Sequence, residues 1–186
     1  ENVAWYDEGE VRVLDRRVYP AKIEFVVCKT VEDVASAIHD MVTQSTGPYT
    51  LAPMGMALAA WKCRDMGREE KKRYLEDSSR IIYSSRPTTT KRMKMLTEAC
   101  IPVALEAFEE GKRADEAVRD FVVEMNNARY NRVRDAAKYL VEKFPQNGTV
   151  MTQCYAETIL GMMLLECKER GNKIKLFCPE TRPYLQ

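Results

Sequence analysis

Alternating apolar and polar positions open the chain. Val3–Tyr6 and Val11–Leu14 flank the turn Asp7-Glu8-Gly9-Glu10, and a third run, Ile23–Cys28, follows Tyr19-Pro20. A period of two over such short runs predicts three antiparallel strands, a small sheet that needs helices to cover it. From Thr30 the period becomes helical. Val31, Val34, Ile38 and Met41 share one face, Thr30 stands as N-cap, and Glu32 and Asp33 fill the first turn. Gln44-Ser45-Thr46-Gly47-Pro48 breaks this helix. A second, from Tyr49 to Met66, is rich in Ala, Met and Leu and is expected to be closely buried. A third, charged segment runs from Arg68 to Ile82. Pro87 keeps Arg86 out of the α region, and Thr88 is placed to cap the following helix. That helix spans Thr90 to Glu109, bent or broken near Pro102. After Gly111 a long amphipathic helix runs from Arg113 to Phe144, its charges forming a solvated face.

Pro145-Gln146-Asn147-Gly148 is a turn and the expected boundary between residues 1–145 and 146–186. Beyond it, Val150-Met151-Thr152 reads as a strand and Gln153-Cys154-Tyr155 as a turn. A helix follows from Ala156 to Arg170, with Ile159, Leu160, Met163 and Leu164 apolar and Gly171-Asn172 at its end. Lys173 to Cys178 is a second strand, stopped by Pro179. Strand, helix and strand in succession predict a parallel pair with a right-handed crossover, so the fold class is α/β. Ligands bind at the carboxyl ends of such strands. Cys154 stands after the first strand, and Glu180-Thr181-Arg182-Pro183 after the second.

Composition adds bounds. The 186 residues are 45% hydrophobic, enough for one medium domain or two small ones. A net charge of +1 gives no bulk electrostatic reason to bind nucleic acid. No apolar run reaches the ~20 residues that span a bilayer, and no signal peptide is visible. The first residue is Glu1, so a trimmed start is expected. Six cysteines without a CxxC spacing read as reduced thiols of a cytoplasmic protein. The lone histidine, His39, cannot build a zinc site by itself and reads as structural.

Two residues carry candidate chemistry. An isolated cysteine is usually core, but Cys154 lies between a strand end and a helix start, where the helix N-terminus favours thiolate. Arg86 precedes a helix start whose free N–H groups could join it in an anion site. The same residues also read as an ordinary capped turn with a solvated arginine.

Three separated motifs together resemble a known family. Val3-Ala4-Trp5, Val13-Leu14-Asp15 and Tyr19-Pro20 are similar to the start of S-methyl-5-thioribose-1-phosphate isomerases. Ser85-Arg86-Pro87-Thr88 resembles their S/T-R-P-T segment. Met151-Thr152-Gln153-Cys154 and Glu180-Thr181-Arg182-Pro183-Tyr184-Leu185-Gln186 resemble their T-H-C and E-T-R-P-x-x-Q segments. Ribose-1,5-bisphosphate isomerases and the alpha, beta and delta subunits of translation initiation factor 2B share this framework. The resemblance covers the whole chain. It implies a helical N-terminal domain with a small antiparallel sheet, then the start of a Rossmann-like parallel-sheet domain, with the active site between them. It implies conversion of an aldose 1-phosphate to the ketose 1-phosphate, as in methionine salvage, by a cysteine and an aspartate without metal or organic cofactor. Cys154 matches the catalytic cysteine and Arg86 a phosphate-contacting arginine. Thr152, Glu180 and Arg182 match pocket positions. The implied partners are a phosphorylated pentose and a second copy of the chain, as homodimer or other homo-oligomer, with no nucleic acid or membrane.

Three departures qualify the resemblance. The family's R-G-A loop reads Gln44-Ser45-Thr46, and Gln44 cannot give an arginine's charge-assisted bond. Gln153 replaces the histidine before the cysteine. The chain stops at Gln186, where the family continues with a segment holding its aspartate. A two-strand parallel unit of roughly forty residues cannot bury both sheet faces, so a fragment or naturally shortened relative is expected. The leading reading is a pentose 1-phosphate isomerase or its N-terminal part. Two rivals stand beside it: a non-catalytic relative of the initiation factor subunits, and a folded helical domain without activity.

Overall fold

A computed structural model describes residues 3–180. The chain divides into two compact units, 1–124 and 125–186.

The first unit begins with an antiparallel sheet, β1 (Ala4–Asp7), β2 (Glu10–Leu14) and β3 (Phe25–Cys28), in the order β1-β2-β3. The register Tyr6↔Val11↔Cys28 puts Ala4, Tyr6, Val11, Val13 and Cys28 on the buried face. The third strand starts at Phe25 rather than Ile23, whose side chain is largely exposed. α1 (Val31–His39) opens with a reciprocal cap. Thr30 Oγ1 accepts from Asp33 N–H (3.1 Å), and the Asp33 carboxylate accepts from Thr30 N–H (2.9 Å). Met41 is not on its apolar face. The helix ends at Asp40, and Met41 turns into the left-handed region with φ 57° while Val42 N–H bonds back to Ala37.

α2 (Pro48–Lys62) is shorter than expected, with Pro48 in its first turn and Cys63 as C-cap. Leu51 to Ala60 are buried without exception, as a helix apolar on every side requires. Against it pack the sheet, α1, α3 (Arg68–Ser84) and α4 (Thr90–Glu109). Pro102 does not break α4. It faces solvent, where water can serve the carbonyl left without its N–H partner. Ser79 and Thr97 hydroxyls, 2.8 Å apart and buried, join α3 to α4. A buried Asp115 at the start of α5 (Ala114–Val141) accepts from Tyr6 Oη at 2.8 Å and from Arg113 Nη2 at 2.7 Å.

The second unit takes the end of α5, β4 (Asn147–Met151), α6 (Glu157–Arg170) and β5 (Lys173–Phe177). The strands are parallel, in register Met151↔Phe177. The compact division falls inside α5 and not at Pro145, because Ala137 and Val141 belong to one core with Leu160, Met163 and Cys167. Leu164, apolar in the same helical pattern, is exposed, since the inward stripe of α6 runs 160, 163, 167. The whole is a mixed α/β protein: a small antiparallel sheet with helices, then a two-stranded parallel sheet.

Candidate functional site

In the first unit, two helix starts meet. The ring of Tyr49, in the opening turn of α2, lies 4.6 Å under the guanidinium of Arg92, in the opening turn of α4. Neither helix has an acidic residue in its first turn, and neither N-cap, Gly47 or Thr89, makes a side-chain capping bond. The other α-helices all carry acidic residues there. The preceding turns serve these first donors instead: Tyr49 N–H donates to the Thr46 carbonyl (3.1 Å), Thr50 N–H to the Gly47 carbonyl (3.0 Å), and Thr89 N–H to the Arg86 carbonyl (3.2 Å).

Thr88 does not cap α4. A 3₁₀ turn, Pro87–Thr89, intervenes, and the hydroxyls of Thr89 and Thr90 donate to the Arg86 carbonyl at 3.3 and 3.0 Å. These bonds hold the backbone of Arg86 extended at the mouth of α4. Its side chain is half-buried, and Nη1 is wholly shielded from water with no hydrogen-bond partner among the described residues. A buried guanidinium donor left unmade is costly, so this nitrogen is set for an acceptor.

The loop before α2 is tightly folded. Gln44 is only 8% exposed, and its Nε2 donates weakly inward to the Met41 carbonyl (3.4 Å). Ser45, with φ 57°, and Thr46 are exposed. Gly47 N–H donates to the Gln44 carbonyl at 2.9 Å, and a Cβ on Gly47 would strike Thr43 Oγ1 at 1.8 Å. Thr43 Oγ1 is itself buried without a partner among the described residues. His39 ends α1 with Nδ1 2.8 Å from Asp40 Oδ1, lining a groove of about 310 Å³ with Ser84 and Ser85.

In the second unit, the ends of the parallel strands carry the other candidates. Thr152 N–H donates to the Phe177 carbonyl (3.0 Å), and its hydroxyl to the Cys154 carbonyl (2.8 Å). This bends the chain so that Cys154 is exposed three residues before α6. Cys178, after β5, is exposed too, and Glu180 follows it; Arg182 lies outside the described residues. The remaining thiols are buried. Burial pushes Cys28 and Cys100 up to about 12 and Cys63 up to about 11, and raises Cys167, so these stay protonated at neutral pH. Among the described residues no three His, Cys, Asp or Glu side chains gather as metal ligands, and no helix is long and apolar enough to cross a membrane.

The structure thus gathers Gln44, Ser45, Thr46 and Arg86 around two helix starts in one unit, and Thr152, Cys154 and Glu180 around two strand ends in the other. Tyr49 and Arg92 escaped the sequence reading. No local pattern marks them, because the two side chains come from helices distant in sequence.

An α/β protein with a half-buried arginine ahead of one helix and an exposed thiol at a parallel strand end is the class these features define. The chain belongs to the initiation factor 2 subunit family, whose pattern matches residues 50–186. It is similar to the methylthioribose-1-phosphate isomerases of Thermosipho africanus, 30% identical over 95% of this chain and 53% of the relative, and of Roseiflexus castenholzii, 28% identical over 98% and 55%. Two solved structures share its fold. Translation initiation factor eIF-2B subunit delta of A. fulgidus has a TM-score of 0.72, with 23% identity, over 99% of this chain and 56% of that one. The 5-methylthioribose 1-phosphate isomerase of Pyrococcus horikoshii has a TM-score of 0.73, with 23% identity, over 99% and 54%. The chain spans about half the length of the curated relatives it matches.

Proposed function

We propose that the protein serves aldose–ketose isomerisation of a pentose 1-phosphate, with 5-methylthioribose 1-phosphate the leading substrate. The observation that carries this reading is Cys154: an exposed thiol between the end of a parallel strand and the start of α6, a position that Cys178, the other exposed thiol among the described residues, does not share. The isomerase names of the relatives in Thermosipho and Roseiflexus support it. Phosphorylation at C1 blocks spontaneous ring opening, so a proton must reach the ring oxygen as the C1–O bond breaks. Hydrogen must then leave C2 and arrive at C1. In this reading Cys154 is the acid/base group at that carbon pair. Arg86 holds the phosphate through the nitrogen that now has no acceptor. Gln44, Ser45 and Thr46 in the first unit, and Thr152 and Glu180 in the second, are the further residues that the resemblance assigns to the substrate, as it does Arg182 by sequence alone.

The test is Cys154→Ser in the native protein, assayed by NMR in deuterated water with 5-methylthioribose 1-phosphate. Loss of a general acid/base is expected to lower turnover by roughly 10²–10⁴-fold. Turnover unchanged by the substitution would end the proposal. A second reading has its own observation. Gln44 is buried and bonded inward, so it offers the substrate no charge. That favours a non-catalytic binding role like that of an initiation factor subunit. Saturable binding of the sugar phosphate by native wild-type protein, with no product formed, would select it.

A further inference from the structure

Between the end of β4 at Met151 and the start of α6 at Glu157, the chain crosses from strand to helix through residues 152–156. Gln153 to Ala156 are exposed, and Thr152 is half-buried. Ala156, the N-cap of α6, makes no side-chain capping bond, so the helix start does not anchor the crossing in that way. Thr152 anchors it from the strand. Its N–H donates to the Phe177 carbonyl at 3.0 Å and carries the parallel ladder one step past Met151↔Phe177. Its hydroxyl donates to the Cys154 carbonyl at 2.8 Å. Among the described residues, this bond is what ties the turn 153–155 to the sheet. Alternation along β4 puts Thr152 on the same face as Leu176, which packs against the α6 core, and away from exposed Met151 and Phe177.

Threonine has two donors, and both are spent within the chain, so neither is left for a substrate. A hydroxyl bonded to a carbonyl two residues on fixes a turn that would otherwise sample several conformations. A cysteine sulfur is separated from the backbone by a single side-chain torsion, so the turn largely decides where the Cys154 thiol stands. We infer that Thr152 is a positioning residue for Cys154: its hydroxyl holds the thiol between the strand end and α6, and it acts through that thiol instead of on the substrate. The inference rests on the isomerase reading for its effect on turnover, but not for the tether.

The experiment compares native wild-type protein with Thr152→Val, Thr152→Ser and Thr149→Val. Thr152→Val keeps the β-branched shape and the backbone bond to Phe177 and replaces the hydroxyl by a methyl. Thr149, exposed in β4, controls for the same change elsewhere in the strand. Nitrogen-15 relaxation without ligand gives backbone order parameters for Gln153, Cys154 and Tyr155. KM and kcat are read with 5-methylthioribose 1-phosphate. In Thr152→Val the order parameters are expected to fall from about 0.85 to below about 0.6, and kcat to fall about tenfold with KM within about twofold. Thr152→Ser restores the donor and is expected to recover most of both, and Thr149→Val to match wild type. Unchanged order parameters in Thr152→Val overturn the inference, as does a raised KM with kcat held, the signature of a substrate contact. Wild type that converts no sugar overturns only the isomerase reading, and the order parameters then decide the tether.

Discussion

Asp115 joins the ends of the first unit through single atoms. Burial alone would raise its pKa. The hydrogen bonds from Arg113 and then Tyr6 outweigh burial and hold the carboxyl below its usual range. A carboxyl depressed in the folded state stabilises above its unfolded pKa of about 4, and that contribution drains away as pH falls towards the folded value. Asp115→Ala is therefore expected to lose about 2–3 kcal/mol at pH 7 and to show a shallower stability loss below about pH 4. Urea unfolding at both pH values measures this. Parallel acid slopes for the two proteins would contradict the assignment. Tyr6 is held from the other side. Burial, the bond to Asp115 and that carboxylate's charge push the phenol well above its normal range. None of this was visible in the sequence, because a bond across 109 positions leaves no local pattern.

Helix packing decides what one glycine does. Gly55 stands in the middle of α2, where propensity alone favours alanine by about 1 kcal/mol. A Cβ there would meet Val34 Cγ1 at 2.8 Å and Ile82 Cδ1 at 3.0 Å, both in the buried core. Overpacking of that kind costs about 1–3 kcal/mol. Gly55→Ala is expected to lower the midpoint of thermal unfolding, and a raised midpoint would mean that α1 and α3 have room to yield. The elements themselves were largely legible. Period two gave the sheet, and Thr30 with Asp33 gave the start of α1. The strand-helix-strand order gave the parallel pair. Where the reading failed, backbone chemistry had prevailed over pattern. Met41 is apolar and correctly spaced, but the chain had already turned at Asp40. Thr88 has a capping side chain, but the 3₁₀ turn moved the helix start past it.

Across the whole molecule, the two units are unequal. Around α2 the first unit buries an unbroken run of side chains. In the second, among the described residues, the fully buried apolar side chains are Ala137, Val141, Leu160, Met163 and Cys167. Met151 and Phe177, register partners on the far face of the parallel pair, are exposed. Amide hydrogens of β4, β5 and α6 are expected to exchange faster than those of α2 in the chain 1–186. Equal protection would mean that the second unit draws stability from contacts beyond its own core. Of the candidate site, the motif residues could be read from type and spacing. The Tyr49–Arg92 stack could not, because two helices distant in sequence create it. The bond between Tyr6 and Asp115 also bears on the order of events at the ribosome. At roughly 5–20 residues per second, the opening hairpin leaves synthesis some 5–20 s before its carboxylate partner is made. Throughout that interval the Tyr6 hydroxyl lacks its acceptor, although α2, which packs on β1, is made well before Asp115. The hairpin is thus packed before it is pinned: α2 can cover it first, and its buried hydrogen bond closes only once α5 begins.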